Sequence, residues 1–246
     1  MTIRPLLTGL LLAIVGATAT GGVFWLLLNV PESNAFALAL SAGLVVLLAI
    51  LAGYTTSVVV AALDGSTVVD AARRGLRGLP GFLLGLAAFG ALWYVTVAID
   101  GQWTLHSGEI DALLLRYAGT VNSRWLHTFI SWLLWLVRWG IGLAVICGVT
   151  TSRVKRQSVG RGFGLASSPL PLGATVAGLL VGYGLWSLAY WRPNGLPANT
   201  MELLFVSVKL SALLLLGTLI AVLVLHTFAR TSRPEGSSAR ALNSPT

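Results

Sequence analysis

WLHTFISWLLWLVRWGIGLAVICG, from Trp125 to Gly148, decides how the chain is read. It is long enough to cross a bilayer, whose hydrocarbon core of about 30 Å takes roughly 20 helical residues. Yet it carries an arginine near its middle and four of the nine tryptophans. At about 100° per residue, Trp132, Trp135 and Trp139 share a face with Thr128, Ser131, Arg138 and Gly142, and His127 flanks them. Ile130, Leu133, Leu134, Val137, Ile141 and Ala144 form the opposite, aliphatic face. One side suits lipid and the other suits protein. A charge at the depth of Arg138 costs about 2.5–3.5 kcal/mol on insertion scales, so such residues face a bundle interior or a water-filled cavity. Trp135 and Trp139 offer ring faces to the guanidinium. The plainer reading of Arg138 is structural: it snorkels to an interface or bonds backbone carbonyls of neighbouring helices. A carboxylate on another subunit is a third destination.

Composition carries the membrane reading to the whole chain. Of 246 residues, 56% are hydrophobic and 10% charged, and the mean hydropathy is +0.84. Soluble domains run near one quarter charged. The net charge of +8 would otherwise suggest nucleic acid, but the basic residues flank apolar runs, so no nucleic-acid partner is expected. The single cysteine, Cys147, lies inside a span, which excludes an intramolecular disulfide and argues against thiol chemistry.

Six spans are expected, at about 5–30, 35–63, 80–99, 125–149, 170–190 and 199–228, as one polytopic domain followed by a disordered tail, 229–246. The first run continues past a cleavage-like Ala17-Thr18-Ala19 and reads as an uncleaved span. Between spans two and three, DGSTVVDAARRGLRGL reads as a surface amphipathic helix. Thr67 and Asp70 cap it, and Pro80 opens the next span. A second interfacial helix, GEIDALLLRYAG, comes after the third span. Trp191 to Pro197 reads as a proline-pinned turn. With the N-terminus inside, eleven Lys and Arg residues lie on the inner side against Arg116, Arg124 and Arg192 outside. The expected fold is therefore an all-α, six-transmembrane-helix bundle in the inner (cytoplasmic) membrane, with both termini cytoplasmic.

Spans two and three resemble spans four and five: each pair passes a basic linker and restarts at Leu-Pro (Leu79-Pro80; Leu170-Pro171). Gly81 and Gly85, like Gly178 and Gly182, have the spacing of close helix contacts. Such a parallel repeat is a common way to build a transporter.

The candidate ligand-binding residues are Arg138, Lys209, Ser131, His127, Trp135 and Trp139. No acid sits deep in any span, so Arg138 and Lys209 together suit an anion: a carboxylate, a phosphate or a lipid headgroup. Glu202, two turns from Lys209, is too far along its helix to neutralise it directly. His106, Glu109, Asp111 and His127 are conceivable metal ligands, but the acids already serve a helix start, and no metal or other cofactor is assigned. Phosphate loops, dinucleotide fingerprints and hydrolase signatures are missing. The expectation is a transport or ligand-binding bundle for an anionic or amphiphilic small molecule. The alternatives are a non-catalytic subunit that docks a membrane partner, and a lipid-modifying enzyme using the outer loop. Transport predicts a cavity between spans four and six with Arg138 exposed to it. A subunit predicts an apolar groove with Arg138 closed off. An enzyme predicts that His106, Glu109 and His127 converge.

Overall fold

The computed structural model describes residues 3–31, 34–118, 123–190 and 200–232. Every regular element among them is helical: α1 (Ile3–Leu28), α2 (Ala35–Leu63), α3 (Val68–Leu105), α4 (Ser107–Ala118), α5 (Ser123–Leu136), α6 (Gly142–Val154), α7 (Val159–Ala166), α8 (Pro169–Tyr190) and α9 (Thr200–Thr231). A π-turn, Val137–Ile141, joins α5 to α6. Six of the resulting rods are long and apolar enough to cross a membrane, which makes the protein a multi-pass membrane protein. Its surface agrees, since large apolar side chains such as Leu11, Phe36, Val46 and Leu215 stand exposed around the bundle. The turn at 191–197 and residues 233–246 of the expected tail lie outside the described residues, while residues 229–231, expected to begin that tail, instead continue α9.

Helix α6 is the hub. It packs along α3, carries α7 on its flank, and touches α2, α8 and α9. Small residues make the closest approaches possible. A Cβ on Gly85 of α3 would come within 2.8 Å of the Ile146 Cα, and one on Gly81 within 3.1 Å of the Val149 carbonyl. Without side chains there, the two backbones press together, as apolar helices do where lipid supplies no hydrophobic drive. Gly162 of α7 likewise sits against the backbone of Gly148 and Val149. The buried hydroxyls among these helices mostly bond back to their own carbonyls: Ser57 to Gly53 at 2.8 Å, Thr150 to Ile146, and Ser152 to Val149.

The structure corrects the expected start of span three. Pro80 does not open a span; α3 runs through it, so the amphipathic stretch and span three are one 38-residue helix. In the second hairpin the chain breaks at Ser167-Ser168, and α8 begins at Pro169. The difference is local. Leu76-Arg77, good helix formers, occupy in α3 the places of Ser167-Ser168, and Gly78 replaces Pro169.

The two turns that precede these elements are nonetheless built alike. After α2, the Ser66 and Gly65 amides bond back to the Ala61 and Ala62 carbonyls; after α6, those of Gln157 and Arg156 bond to Ser152 and Arg153. Both are Schellman closures with a left-handed residue, Gly65 (φ 91°) in one and Arg156 (φ 57°) in the other. Each leads into an N-cap, Thr67 to the Asp70 amide and Ser158 to the Arg161 amide. The pairs Gly65/Arg156, Thr67/Ser158 and Pro80/Pro171 share one constant separation along the chain. The residues just before the turns, Asp64 and Lys155, hold the same separation and pair with each other at 3.0 Å.

Candidate functional site

A cavity of about 770 Å³ opens between the rods containing α6, α8 and α9, that is, between spans four, five and six. Its volume falls in the range of small-molecule sites. Leu143, Ile146 and Cys147 of α6 form one wall. Thr175, Leu179 and the glycines 178 and 182 of α8 form a second, and Ile220, Ala221, Val224 and Gly217 of α9 a third. Gly182 and Gly217 have open space where a Cβ would project, so these two positions leave the cavity hollow. Trp135, Trp139, Tyr183 and Trp186 gather at one end. Trp135 to Cys147 spans roughly 18 Å at 1.5 Å per residue, so the cavity is a groove running along the helices.

Its polarity is concentrated. Thr175 spends its hydroxyl on the Pro171 carbonyl at 2.9 Å and Thr56 on Ala52 at 2.8 Å. The indole N–H groups of Trp135 and Trp139 and the Tyr183 hydroxyl make no hydrogen bond within the described residues. Two of these rings touch: Trp135 meets Tyr183 edge-on at 5.7 Å between centroids, and Trp132 meets both, whereas the Trp139 ring packs on Phe89 and Trp93. An aliphatic groove with an aromatic, donor-bearing end can hold an extended chain and accept a polar head that offers oxygen.

The six residues singled out from sequence separate in space. Trp135 and Trp139 line the groove. Ser131 lies beside it, in a smaller hollow of about 230 Å³ with Trp132, Trp135 and Tyr183. Arg138 turns the other way. Its Nε donates to the Thr96 hydroxyl of α3 at 2.9 Å, and its guanidinium lies over the Trp93 ring at 4.7 Å. Thr96 is buried and returns its own hydroxyl to the Leu92 and Trp93 carbonyls. The Trp93 ring is held edge-on by Phe89 and Trp139. So the arginine is stacked and bonded in the α3 interface. Lys209 sits over Phe205 of its own helix at 5.5 Å and does not line the groove. The side chain of Glu202 lies outside the described residues.

The π-turn explains part of this dispersal. A regular wheel places Ala144 with the lipid-facing residues, whereas Ala144 is fully buried. The wider turn at 137–141 rotates the helix beyond it, so that Gly142 accommodates the Phe89 ring and Gly140 faces Val176 and Leu179 of α8. The expected aliphatic face therefore runs as far as the exposed Ile141 and is broken at Ala144.

His127 has both ring nitrogens engaged. The Trp103 indole donates to Nδ1 at 2.8 Å, so Nδ1 carries no proton and Nε2 donates to the Asp111 carboxylate at 3.0 Å. This clasp ties α5 to α3 and α4. His106 instead faces the Gln102 carbonyl at 2.9 Å, and among the described residues no three potential metal ligands gather. Comparison with protein-family models, curated proteins and solved structures finds nothing that matches this chain.

Proposed function

We propose that the protein binds an amphiphile with one extended acyl- or prenyl-type chain in the lateral groove. The observation that carries this reading is the groove itself: apolar along its length, hollowed by Gly182 and Gly217, and closed at one end by unbonded indole and phenol donors. A head with a carbonyl or hydroxyl oxygen meets Trp135, Trp139 and Tyr183, while the tail runs toward Cys147 and Val224. The ligand enters sideways from the bilayer, where its apolar chain already resides. The basic end of the bundle is taken as cytoplasmic on the strength of the charge asymmetry, which puts both termini inside, and the inner membrane is proposed as its location.

The second reading, a subunit receiving a partner helix in the same groove, is favoured by one observation: Arg138 is closed off against Thr96 and Trp93 rather than exposed to the groove. One experiment separates the two. The protein is purified from membranes and its bound lipids are extracted and identified by mass spectrometry, alongside Gly182→Leu and Gly217→Leu. Both substitutions fill the groove without meeting protein atoms at the Cβ; Gly21→Leu, equally open but elsewhere, is the control. A chain amphiphile retained by the native protein and the control but lost from both filled variants supports the proposal. Equal retention by all four sinks it. Loss of a stoichiometric protein partner from the filled variants, with no lipid difference, supports the subunit.

A further inference from the structure

At the opposite end of the molecule from the tryptophans, four chain segments enclose a hollow of about 560 Å³. Arg74 and Arg77 come from the first turns of α3, Lys155 from the end of α6, and Arg156 from the turn after it; Ser232 lies just past α9. We propose that this hollow is a binding site for a phosphate-bearing group, with Arg74, Arg77 and Arg156 as its ligands. It is remote from the lateral groove and does not rest on the amphiphile reading.

Basic residues at this end are expected of any polytopic protein, so charge alone decides nothing. The first distinguishing feature is Lys155, which is not a solvated charge. Its ammonium is fixed between the Asp64 carboxylate at 3.0 Å and the Ala229 carbonyl at 2.7 Å, joining the ends of α2, α6 and α9 into a floor. With Lys155 balanced by Asp64, the three arginines form no ion pair among the described residues, and the hollow is strongly positive.

Second, Arg156 occupies the left-handed position of its turn at φ 57°. The matching turn after α2 fills that position with glycine, the residue that adopts it without steric cost. An arginine kept where glycine is the easier choice is an outlier of the kind that marks functional positions. Third, Gln157 donates its amide to the Ser232 carbonyl at 3.0 Å, which fixes which end of the amide is nitrogen. Its Oε1 is then buried with no hydrogen-bond partner among the described residues. A buried acceptor beside three cations suits an anion that also brings a donor, as a protonated phosphate oxygen or a headgroup hydroxyl does.

The group has two sources, a soluble phosphate ester or a phospholipid headgroup. The full-length protein is reconstituted in phosphatidylcholine nanodiscs and titrated calorimetrically with inorganic phosphate and with glycerol phosphate. In parallel, nanodiscs of mixed phosphatidylcholine and phosphatidylglycerol are analysed by native mass spectrometry for bound lipid. Arg156→Gly is the central variant, because glycine preserves the left-handed turn while the charge goes; Arg77→Gln is the second. Saturable binding in the first arm, weakened at least tenfold by each variant, assigns a soluble phosphate ester. Selective retention of phosphatidylglycerol, lost in both variants, assigns a lipid headgroup. The proposal is overturned if the native protein binds in neither arm, or if well-folded Arg156→Gly and Arg77→Gln bind as the native protein does.

Discussion

Arg138 shows how a membrane-embedded charge is made tolerable by a ring face and a single hydroxyl. One face of its guanidinium is stacked on Trp93, and its Nε is bonded to a threonine whose own proton is spent on the helix backbone. Thr96→Val keeps the shape and deletes the acceptor. It is expected to cost about 1.5–3 kcal/mol, the scale of a hydrogen bond to a charged group, read as a lowered unfolding midpoint in detergent. Thr96→Ser is expected to recover most of that loss. The protein-facing side of Arg138 was legible in the sequence, because the cost of its charge in lipid is general. Its partner was not, since Thr96 lies 42 residues away on a helix whose rotation no local pattern fixes. The same holds for His127, whose clasp needs Trp103 and Asp111 from two other helices.

Among the elements, the long apolar rods are read easily because hydropathy over 20 residues is a strong signal. Breaks within them are not. Pro80 and Pro171 stand in matching places, yet only the second lies at a helix start, because Ser167-Ser168-Pro169 supplies a stop that Leu76-Arg77-Gly78 does not. The π-turn has no sequence signature of its own, and it misdirects a wheel drawn through Trp125–Gly148. The paired turns give a sharper prediction. Gly65→Ala places a Cβ at φ 91° and is expected to destabilise by about 1 kcal/mol or more. Arg156→Gly relieves the same conformation and is expected to leave the unfolding midpoint unchanged or slightly raised. Thermal scans of the two proteins side by side check both signs, and opposite shifts are the signature of one motif carrying two residues.

For the whole molecule, the two hairpins are alike at their turns and unlike beyond them. The first packs tightly, with Gly53 of α2 against the Phe82 ring and Gly75 and Gly78 of α3 against Val58 and Ser57. The second leaves α8 standing off from α6, and the groove is the space between. Position 178 touches α9, whereas position 182 faces the void, so glycines of the same spacing serve contact in one case and capacity in the other. The glycine spacing is visible in the sequence but its two uses are not, because the difference lies in how far the neighbouring helix stands. Trp135 and Trp139 were within reach because aromatic residues at helical spacing mark a protein-facing side; Tyr183 and Gly217 carried no such mark.

The groove also bears on time. Lipids around a smooth bundle exchange with the bilayer freely, but a chain lodged between α6, α8 and α9 is shielded on three sides and can leave only through the side open to the bilayer. The protein would then hold two lipid populations that differ in residence rather than in chemistry. Spin-labelled lipid should display an immobilised component beside the mobile one, and Gly217→Leu should remove the slow component while leaving the fast one intact.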